Sequence, residues 1–146
     1  MDSGLNMDNA RVDEQKKVME KYLDSGQCPF CTETQAKTLM PVLEDGFFWT
    51  VRENKWPYEN TKLHLIIIAK EHLEKFSDIP NNAGAELIAL CCRIEKRFQV
   101  ESGGIAMRFG NIRFNGATVA HLHMHFIVPD PKKTKNKKDK IRFKIG

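Results

Sequence analysis

The sequence lacks any apolar run that could cross a membrane, which requires about 20 consecutive apolar residues. Its longest apolar run, residues 63–69, is short and contains His64. Residues 1–24 are polar and acidic, and they lack the apolar centre of a signal peptide. These absences predict a cytoplasmic protein that does not interact with membranes.

Cysteine is scarce, and its spacing is informative. Two of the four cysteines, Cys28 and Cys31, form a C-x-x-C pair, and the other two are Cys91 and Cys92. In a cytoplasmic protein such a pair indicates a metal site or a redox motif rather than a structural disulfide. A redox pair usually begins a helix after a strand, whereas Cys28 follows a predicted helix. Cys91 and Cys92 lie within a predicted helix and are interpreted as small core residues.

Charge is distributed unevenly along the chain. The net charge is +4, yet residues 132–144 contain seven lysines and one arginine against one aspartate, so the rest of the chain is about −3. We predict one domain over residues 1–130, with residues 1–9 disordered, and a basic C-terminal tail over residues 131–146. The tail is interpreted as a solvated extension, and attraction to nucleic acid is the alternative. Alternating apolar residues predict that it ends as an edge strand: Ile141, Phe143 and Ile145.

Apolar periodicity predicts an α+β fold. One helix is predicted over residues 10–23 and a longer one over residues 81–100. Aromatic and β-branched runs predict strands over residues 47–51, 63–69 and 105–109, and a further strand beginning at His121. Strands this close along the chain favour an antiparallel sheet. We therefore expect about five antiparallel strands packed with one long helix and an N-terminal helix.

The strongest pattern is the sequence HLHMHF at residues 121–126. Strict alternation at period two indicates a strand with one face on the core, so Leu122, Met124 and Phe126 should be buried. The three histidines would then lie in a row on the opposite face. Such a row indicates metal binding, chemistry on an anionic group, or both.

A metal site is one interpretation of these histidines together with the C-x-x-C pair. Cys28 and Cys31 supply half of a typical zinc site. The other half is expected from His72, just after a predicted core strand, and from His121, at the start of the histidine strand. A closed site of this kind would be structural and would tie the N-terminal segment to the sheet.

Covalent catalysis is the second interpretation. His123 is a candidate nucleophile, because a neutral imidazole can attack phosphorus and form a phosphoramidate. His125, on the same face, could reach an oxygen of the same phosphorus, and residues 115–118 offer backbone N–H groups and a hydroxyl for the other oxygens. Two histidines at this spacing are equally typical of a catalytic zinc site. The residues alone therefore leave both interpretations open.

The sequence HLHMHFI at residues 121–127 resembles the signature of the histidine triad superfamily of nucleotide hydrolases and transferases. Other parts of the chain are similar to the same family, namely GATV at residues 116–119, HLIIIAKEH at residues 64–72, and Asn111. The resemblance covers roughly residues 28–129. It departs from the family pattern at Ala117, where many members have glutamine.

The resemblance implies a HIT-like fold and a role for each matching residue. His123 would be the nucleophile, His125 would contact the scissile phosphate, and the carbonyl of His121 would orient His123. Nucleotide or phosphate binding is implied for Asn111, Gly116, Thr118 and His64, with Asn54 as the nearest counterpart of a ribose-binding residue. A structural zinc ion, as in the zinc-binding relatives, is implied at Cys28, Cys31, His72 and His121.

The resemblance also implies a reaction. It is attack at the α-phosphate of a nucleotide anhydride, ester or amidate, such as a dinucleoside polyphosphate or an adenosine phosphoramidate, through a nucleotidyl-histidine intermediate. A homodimer that acts on a small nucleotide by hydrolysis or transfer is expected. The alternatives are a zinc-dependent metallohydrolase that uses the histidine row, and a non-catalytic nucleotide- or nucleic-acid-binding module that uses the basic tail.

Overall fold

Five strands and four α-helices make up the fold of this computed structural model, which describes residues 4–146 except for the side chains of residues 36–38. The strands are β1 (Val42–Asp45), β2 (Trp49–Glu53), β3 (Thr61–Ala69), β4 (Gly104–Met107) and β5 (His123–Pro129). They form one antiparallel sheet in the order β1-β2-β3-β5-β4. The helices are α1 (Asp13–Ser25), α2 (Thr32–Thr38), α3 (Asn81–Arg97) and α4 (Ile112–Asn115). The predicted α+β fold, with its long helix and N-terminal helix, is confirmed.

The alternation of β5 divides its side chains between two cores. Met124, Phe126 and Val128 pack on the sheet face that α3 covers, and the predicted burial of Leu122, Met124 and Phe126 is confirmed. The opposite face carries a second core from the N-terminal region and β3, made of Leu5, Met19, Phe30, Ile66, Ile68 and Val119. The Phe30 ring lies 4.9 Å from the ring of His123. The histidine row therefore lies beneath the N-terminal region and is buried.

Strand β5 begins at His123 rather than at the predicted His121. The N–H group of Leu122 donates to the Leu73 carbonyl at 2.7 Å, and its carbonyl accepts from the Ala69 N–H at 3.1 Å. The chain thus turns at residues 121 and 122 before it enters the sheet. This turn keeps His121 at the end of the sheet, close to the segment that follows β3.

Helix α3 is joined to the β1–β2 turn by a single carboxylate. Glu86 accepts hydrogen bonds from the backbone N–H groups of Phe47, Phe48 and Trp49 at 2.7, 2.8 and 3.1 Å. The indole of Trp49 also donates to the Ala83 carbonyl at 2.8 Å. These bonds fix the start of β2 against the helix.

Replacement of Glu86 by alanine should lower the free energy of unfolding by about 2 kcal/mol, because it leaves these backbone donors without their charged acceptor. Denaturant unfolding would measure the change. Glu95→Ala on the same helix is the matched control, since Glu95 is exposed and has no side-chain partner among residues 4–146. Equal destabilisation by the two variants would contradict a special role for Glu86.

The N-terminal segment, for which the sequence predicts disorder over residues 1–9, makes specific contacts from residue 5 onward. Leu5 is buried and forms a β-bridge with Val119. The N–H group of Asn6 donates to the Thr118 carbonyl at 2.8 Å, and the Asn9 side chain donates to the Ala117 carbonyl at 2.8 Å. The polar side chains on which the prediction of disorder rests donate hydrogen bonds to backbone carbonyls of the loop before β5. Residues 1–3 lie outside the described residues.

The C-terminal tail does not form the predicted edge strand. Residues 141–146 have no regular secondary structure, and the only short helix in the tail is a 3-10 turn at Lys137–Asp139. Strands β1 and β4 are the sheet edges. Phe143 packs against the rings of Tyr58 and His125 instead, so the tail crosses the histidine face. No helix within residues 4–146 is long and apolar enough to cross a membrane.

Candidate functional site

Four potential metal ligands meet where α2 begins beside the ends of β3 and β5. They are Cys28, Cys31, His72 and His121, and their ligand atoms all lie within 4.8 Å of one another. Within residues 4–146 no other group of three or more such side chains comes together in this way. The structure therefore unites the four residues that the sequence singled out from chain position.

The distances within this cluster match a tetrahedral ion. Cys28 Sγ lies 3.5 Å from His121 Nδ1, and Cys31 Sγ lies 3.4 Å from His72 Nδ1. The two Nδ1 atoms are 3.2 Å apart. A tetrahedral zinc ion, with ordinary bond lengths, requires about 3.6 Å between sulfur and nitrogen and about 3.3 Å between two nitrogens. The donors are thus spaced for a four-coordinate metal.

The imidazole rings of the cluster are oriented by oxygen acceptors. His121 Nε2–H donates to the Ala69 carbonyl at 2.6 Å, and His72 Nε2 lies 3.1 Å from Glu74 Oε1. A neutral ring that keeps its proton on Nε2 presents the Nδ1 lone pair, so both lone pairs face the cluster. Burial lowers the pKa of His121 to about 4 and holds this ring neutral.

The two thiols add a further reason to expect a cation. Burial and then the neighbouring Cys28 raise the pKa of Cys31 to about 12. Two thiolates this close are stable only when a cation neutralises them, and metal binding displaces their protons. The donor set, its spacing and its orientation therefore fit a tetrahedral metal ion held by two thiolates and two imidazoles.

His123 is oriented by the same turn that contributes to the metal cluster. Its Nδ1–H donates to the His121 carbonyl at 2.6 Å. Because a carbonyl cannot donate, the proton of the neutral ring lies on Nδ1 and the lone pair lies on Nε2. Burial lowers the pKa of His123 to about 4, although the bond to His121 opposes this shift. At neutral pH the ring is therefore uncharged and nucleophilic at Nε2.

A short relay of hydrogen bonds fixes the proton of His125. The Tyr58 N–H donates to His64 Nδ1 at 3.0 Å, so neutral His64 carries its proton on Nε2. His64 Nε2–H in turn donates to His125 Nδ1 at 2.8 Å. His125 must therefore carry its own proton on Nε2. Burial lowers the pKa of both rings, to about 4 for His64 and well below the ordinary value for His125.

The proton on His125 Nε2 has no acceptor within the described part of the chain, although the atom is buried. Leaving such a donor unsatisfied costs free energy, and the groups that are left so in folded proteins are often functional. His123 and His125 both line one cavity, which measures about 670 Å³ when the space at its open mouth is counted. A buried lone pair and a buried N–H group thus belong to the same cavity, an arrangement suited to a group that is both an electrophile and an acceptor.

Most of the predicted phosphate-site residues lie around this cavity. Gly116, Thr118 and Asn54 line it, and His64 lies behind His125 in the relay. Asn111, for which a contact with phosphate is predicted, does not line this cavity. Its Oδ1 accepts from the Arg113 N–H at 2.9 Å and caps helix α4. An asparagine that begins a helix commonly makes this contact.

Several residues of the cavity were not found from the sequence. Arg11 and Arg108 contribute charge, and Phe30, Trp56 and Tyr58 contribute aromatic surface. The arginines occur in segments without a motif, so no pattern marked them. Trp56 and Tyr58 are two aromatic residues in a polar, proline-containing connection, and isolated aromatic residues of this kind do not by themselves mark a site.

This chain is similar to several HIT-like and histidine triad proteins. An uncharacterised HIT-like protein of Mycobacterium tuberculosis is 26% identical over 107 residues, which cover 70% of this chain and 71% of that protein. A Zn-bound histidine triad family protein from Mycobacterium smegmatis has a TM-score of 0.57 and 22% identity, with 82% of both chains covered. A diadenosine triphosphate hydrolase from Plasmodium falciparum has a TM-score of 0.50 and 22% identity, with 70% of this chain and 65% of that one covered.

The fold and the site define an α+β protein of the histidine-triad class, with a Cys₂His₂ donor set that shares one histidine with the triad. A family profile described as the HIT domain matches residues 58–132, about half of the chain. The chain belongs to the HIT family. The matched region contains the whole of β3, β4 and β5, and with them the three triad histidines.

Proposed function

We propose that the protein is a nucleotide hydrolase or nucleotidyltransferase that acts at an α-phosphate through a nucleotidyl-His123 intermediate. The observation that carries this proposal is the complementary pair of imidazoles in one cavity. His123 has a lone pair on Nε2, whereas His125 has a proton on Nε2 without a partner. A phosphate group that is attacked by the first ring can accept a hydrogen bond from the second.

The first step forms a bond between His123 Nε2 and the α-phosphorus. The bond from phosphorus to the leaving group breaks, and its electron pair departs with that group. His123 then carries a phosphoryl substituent on Nε2 and a proton on Nδ1, and the His121 carbonyl stabilises the resulting positive charge through the 2.6 Å hydrogen bond. His125 Nε2–H donates to an oxygen of the reacting phosphate.

The second step releases the nucleotide. A water molecule or another acceptor attacks the same phosphorus, the electron pair of the phosphorus–nitrogen bond returns to His123 Nε2, and the proton that an attacking water loses passes to the solvent. The loop before β5 supports both steps, because Gly116 and Thr118 line the cavity. A backbone N–H group of this loop and the Thr118 hydroxyl can donate to the phosphate oxygens. Hydrolysis and transfer differ only in the acceptor.

The apolar part of the cavity suits the nucleoside. Met19, Phe30, Leu39, Ile66 and Trp56 all line it, and a base has the flat apolar faces that such a surface binds. Asn54 also lines the cavity, but its Oδ1 accepts from the Trp56 N–H at 2.9 Å and its Nδ2 lies 3.3 Å from His64 Nε2. The Asn54 Nδ2 group and the protonated His64 Nε2 are both donors and form no hydrogen bond with each other, so the ribose contact implied for Asn54 stays a prediction.

We propose zinc as the metal of the Cys₂His₂ cluster, with a structural role. Two thiolates and two imidazoles are a typical donor set for structural zinc, and the similar protein from Mycobacterium smegmatis is described as Zn-bound. The ion would tie Cys28 and Cys31 to the ends of β3 and β5. His121 would hold the metal through Nδ1 and orient His123 through its carbonyl. The homodimeric state and the cytoplasmic location stay predictions.

The two alternative functions have less support from the geometry. In the metallohydrolase alternative, several triad histidines would bind one ion, but His123 Nδ1 and His125 Nδ1 each face a protein partner. His121 belongs to the other cluster. In the binding-module alternative, nothing explains why an unpartnered donor on His125 lies beside a free lone pair on His123.

Mass spectrometry of the intact protein tests the proposed reaction. Brief mixing with diadenosine tetraphosphate should add the mass of one adenylyl group to a fraction of the chains, and acid should remove it because phosphoramidate bonds are acid-labile. The adduct should be absent in the His123→Ala variant. The folded fraction of the His72→Ala variant, which lacks a metal ligand but keeps the nucleophile, should still form it. Turnover without any adduct on the wild-type chain would contradict the covalent mechanism.

A further inference from the structure

A second cavity opens beside the histidine cavity. It encloses about 1160 Å³, counting its open mouth, and it shares Asn9, Arg11, Tyr58, Arg108 and Gly116 with the first cavity. Much of its remaining wall is the end of the C-terminal tail, residues 138–146. The basic tail is therefore a part of the wall beside the reacting groups.

This second cavity is strongly cationic. Six cationic side chains line it, against the two carboxylates Asp8 and Glu59, and the six are Arg11, Arg108, Lys138, Lys140, Arg142 and Lys144. Among residues 4–146, the ion pairs within 4.0 Å involve none of these six. Burial lowers the pKa of Arg11, Tyr58 opposes the shift, and Arg108 lowers it further. Six cations that outnumber the carboxylates and form no ion pairs within the described residues favour an anionic ligand.

Specific contacts hold the tail in this position. Arg108 Nε–H donates to the Lys144 carbonyl at 2.8 Å, and its guanidinium lies 3.8 Å from the centre of the Phe143 ring. The Phe143 ring lies 5.3 Å from the ring of His125. At Gly116, where φ is 80°, a Cβ atom would lie 3.1 Å from the Lys144 carbonyl oxygen. Glycine at this position therefore permits the close approach of the tail.

We propose that residues 138–146, together with Arg11 and Arg108, form a second anion site that binds the oligophosphate chain of the leaving group. The inference rests on the proposed function, because that function sets where the α-phosphate lies. In an in-line displacement the leaving group points away from His123 Nε2, and the second cavity adjoins the first through the five residues that line both. The ligand class is therefore a nucleotide with two or more phosphates beyond the α-phosphate.

The arrangement of the cations favours an oligophosphate over a nucleic acid. Adjacent phosphates of an oligophosphate concentrate several charges within one small volume, and six cations around one cavity match this density. A nucleic acid strand instead requires a track of cations with exposed aromatic rings for stacking. Phe143, the aromatic residue of the tail, does not line the cavity and packs against His125 and Tyr58 instead.

Calorimetric titration of the metal-loaded full chain with inorganic tripolyphosphate tests the site. The variant Lys138→Gln/Arg142→Gln/Lys144→Gln removes three cations of the cavity wall. The variant Lys132→Gln/Lys133→Gln/Lys135→Gln removes the same charge from exposed tail residues outside that wall. We expect the first variant to bind tripolyphosphate about tenfold more weakly than the wild type, and the second to change affinity by less than about twofold.

Two results would overturn the inference. Equal losses in both variants would mean that only net charge matters, and tighter binding of a single-stranded oligodeoxynucleotide than of tripolyphosphate would assign the cations to nucleic acid. Tripolyphosphate binding does not depend on catalysis. If the wild-type chain binds it as expected but turns over no nucleotide, the proposed function fails while the anion site stands. If turnover is normal but tripolyphosphate does not bind, the anion site alone fails.

Discussion

Replacement of His123 by alanine should reduce turnover of diadenosine tetraphosphate at least about a thousandfold, since the reaction then loses its nucleophile. The His123 ring contributes no atom to the metal cluster, and its one hydrogen bond runs to the His121 carbonyl. Metal content should therefore remain one ion per chain. Initial rates, metal analysis and thermal unfolding of the same preparation would measure these three quantities together.

A second variant separates loss of the nucleophile from general damage to the cavity. His125→Ala removes the donor of the unpartnered Nε2–H group but leaves His123 Nε2 intact. Removal of one such donor costs about 10² to 10³ in rate, and the nucleotidyl adduct should still form slowly on His123. Turnover at the wild-type rate in His123→Ala would refute the mechanism. Adduct formation in His123→Ala would show that another residue is the nucleophile.

Much of the candidate site could be predicted because it depends on short-range patterns. The alternation in β5 determines which side chains face each core, and every second residue must lie on the same face of a strand. The C-x-x-C pair and the position of His72 after a core strand predicted the metal cluster in the same way. In each case a local spacing restricts where the side chains can lie.

The features that were missed depend on long-range packing. Leu5 lies 114 positions before its bridge partner Val119 in the chain, and Phe143 meets Tyr58 across the histidine face. The polar segment around residues 4–9 gave no periodic signal, because its asparagines bind loop carbonyls through single side-chain contacts. Composition alone predicts such segments to be disordered, and only the fold supplies their partners.

The tail illustrates the same limit in a more functional way. The sequence predicted the positive charge of the tail but not its path across the histidine face. An alternating apolar pattern of only three residues, Ile141, Phe143 and Ile145, predicted a strand. The interaction of Arg108 with the Lys144 carbonyl and the Phe143 ring fixes the tail across the cavity instead. A cation–π contact and a single backbone bond have no sequence signature.

Replacement of Cys28 by serine should remove the metal and lower the midpoint of thermal unfolding by about 10 °C or more. Serine is a poor ligand for zinc, and in small domains the free energy of binding structural zinc contributes directly to folding. A loss of about 3 to 5 kcal/mol corresponds to a shift of this size for a chain of this length. Metal analysis and calorimetry would measure both effects.

Cys92→Ser is the matched control, because Cys92 is exposed on α3 and lies outside the metal cluster. Its metal content and unfolding midpoint should equal those of the wild type. A chelator added to the wild-type chain should reproduce the stability of Cys28→Ser, whereas it should change Cys28→Ser itself little. If Cys28→Ser lost its metal and kept its stability, the ion would have no structural role. Removal of the metal from the wild-type chain should also lower activity, because the His121 carbonyl orients His123. This activity should return when the metal is restored.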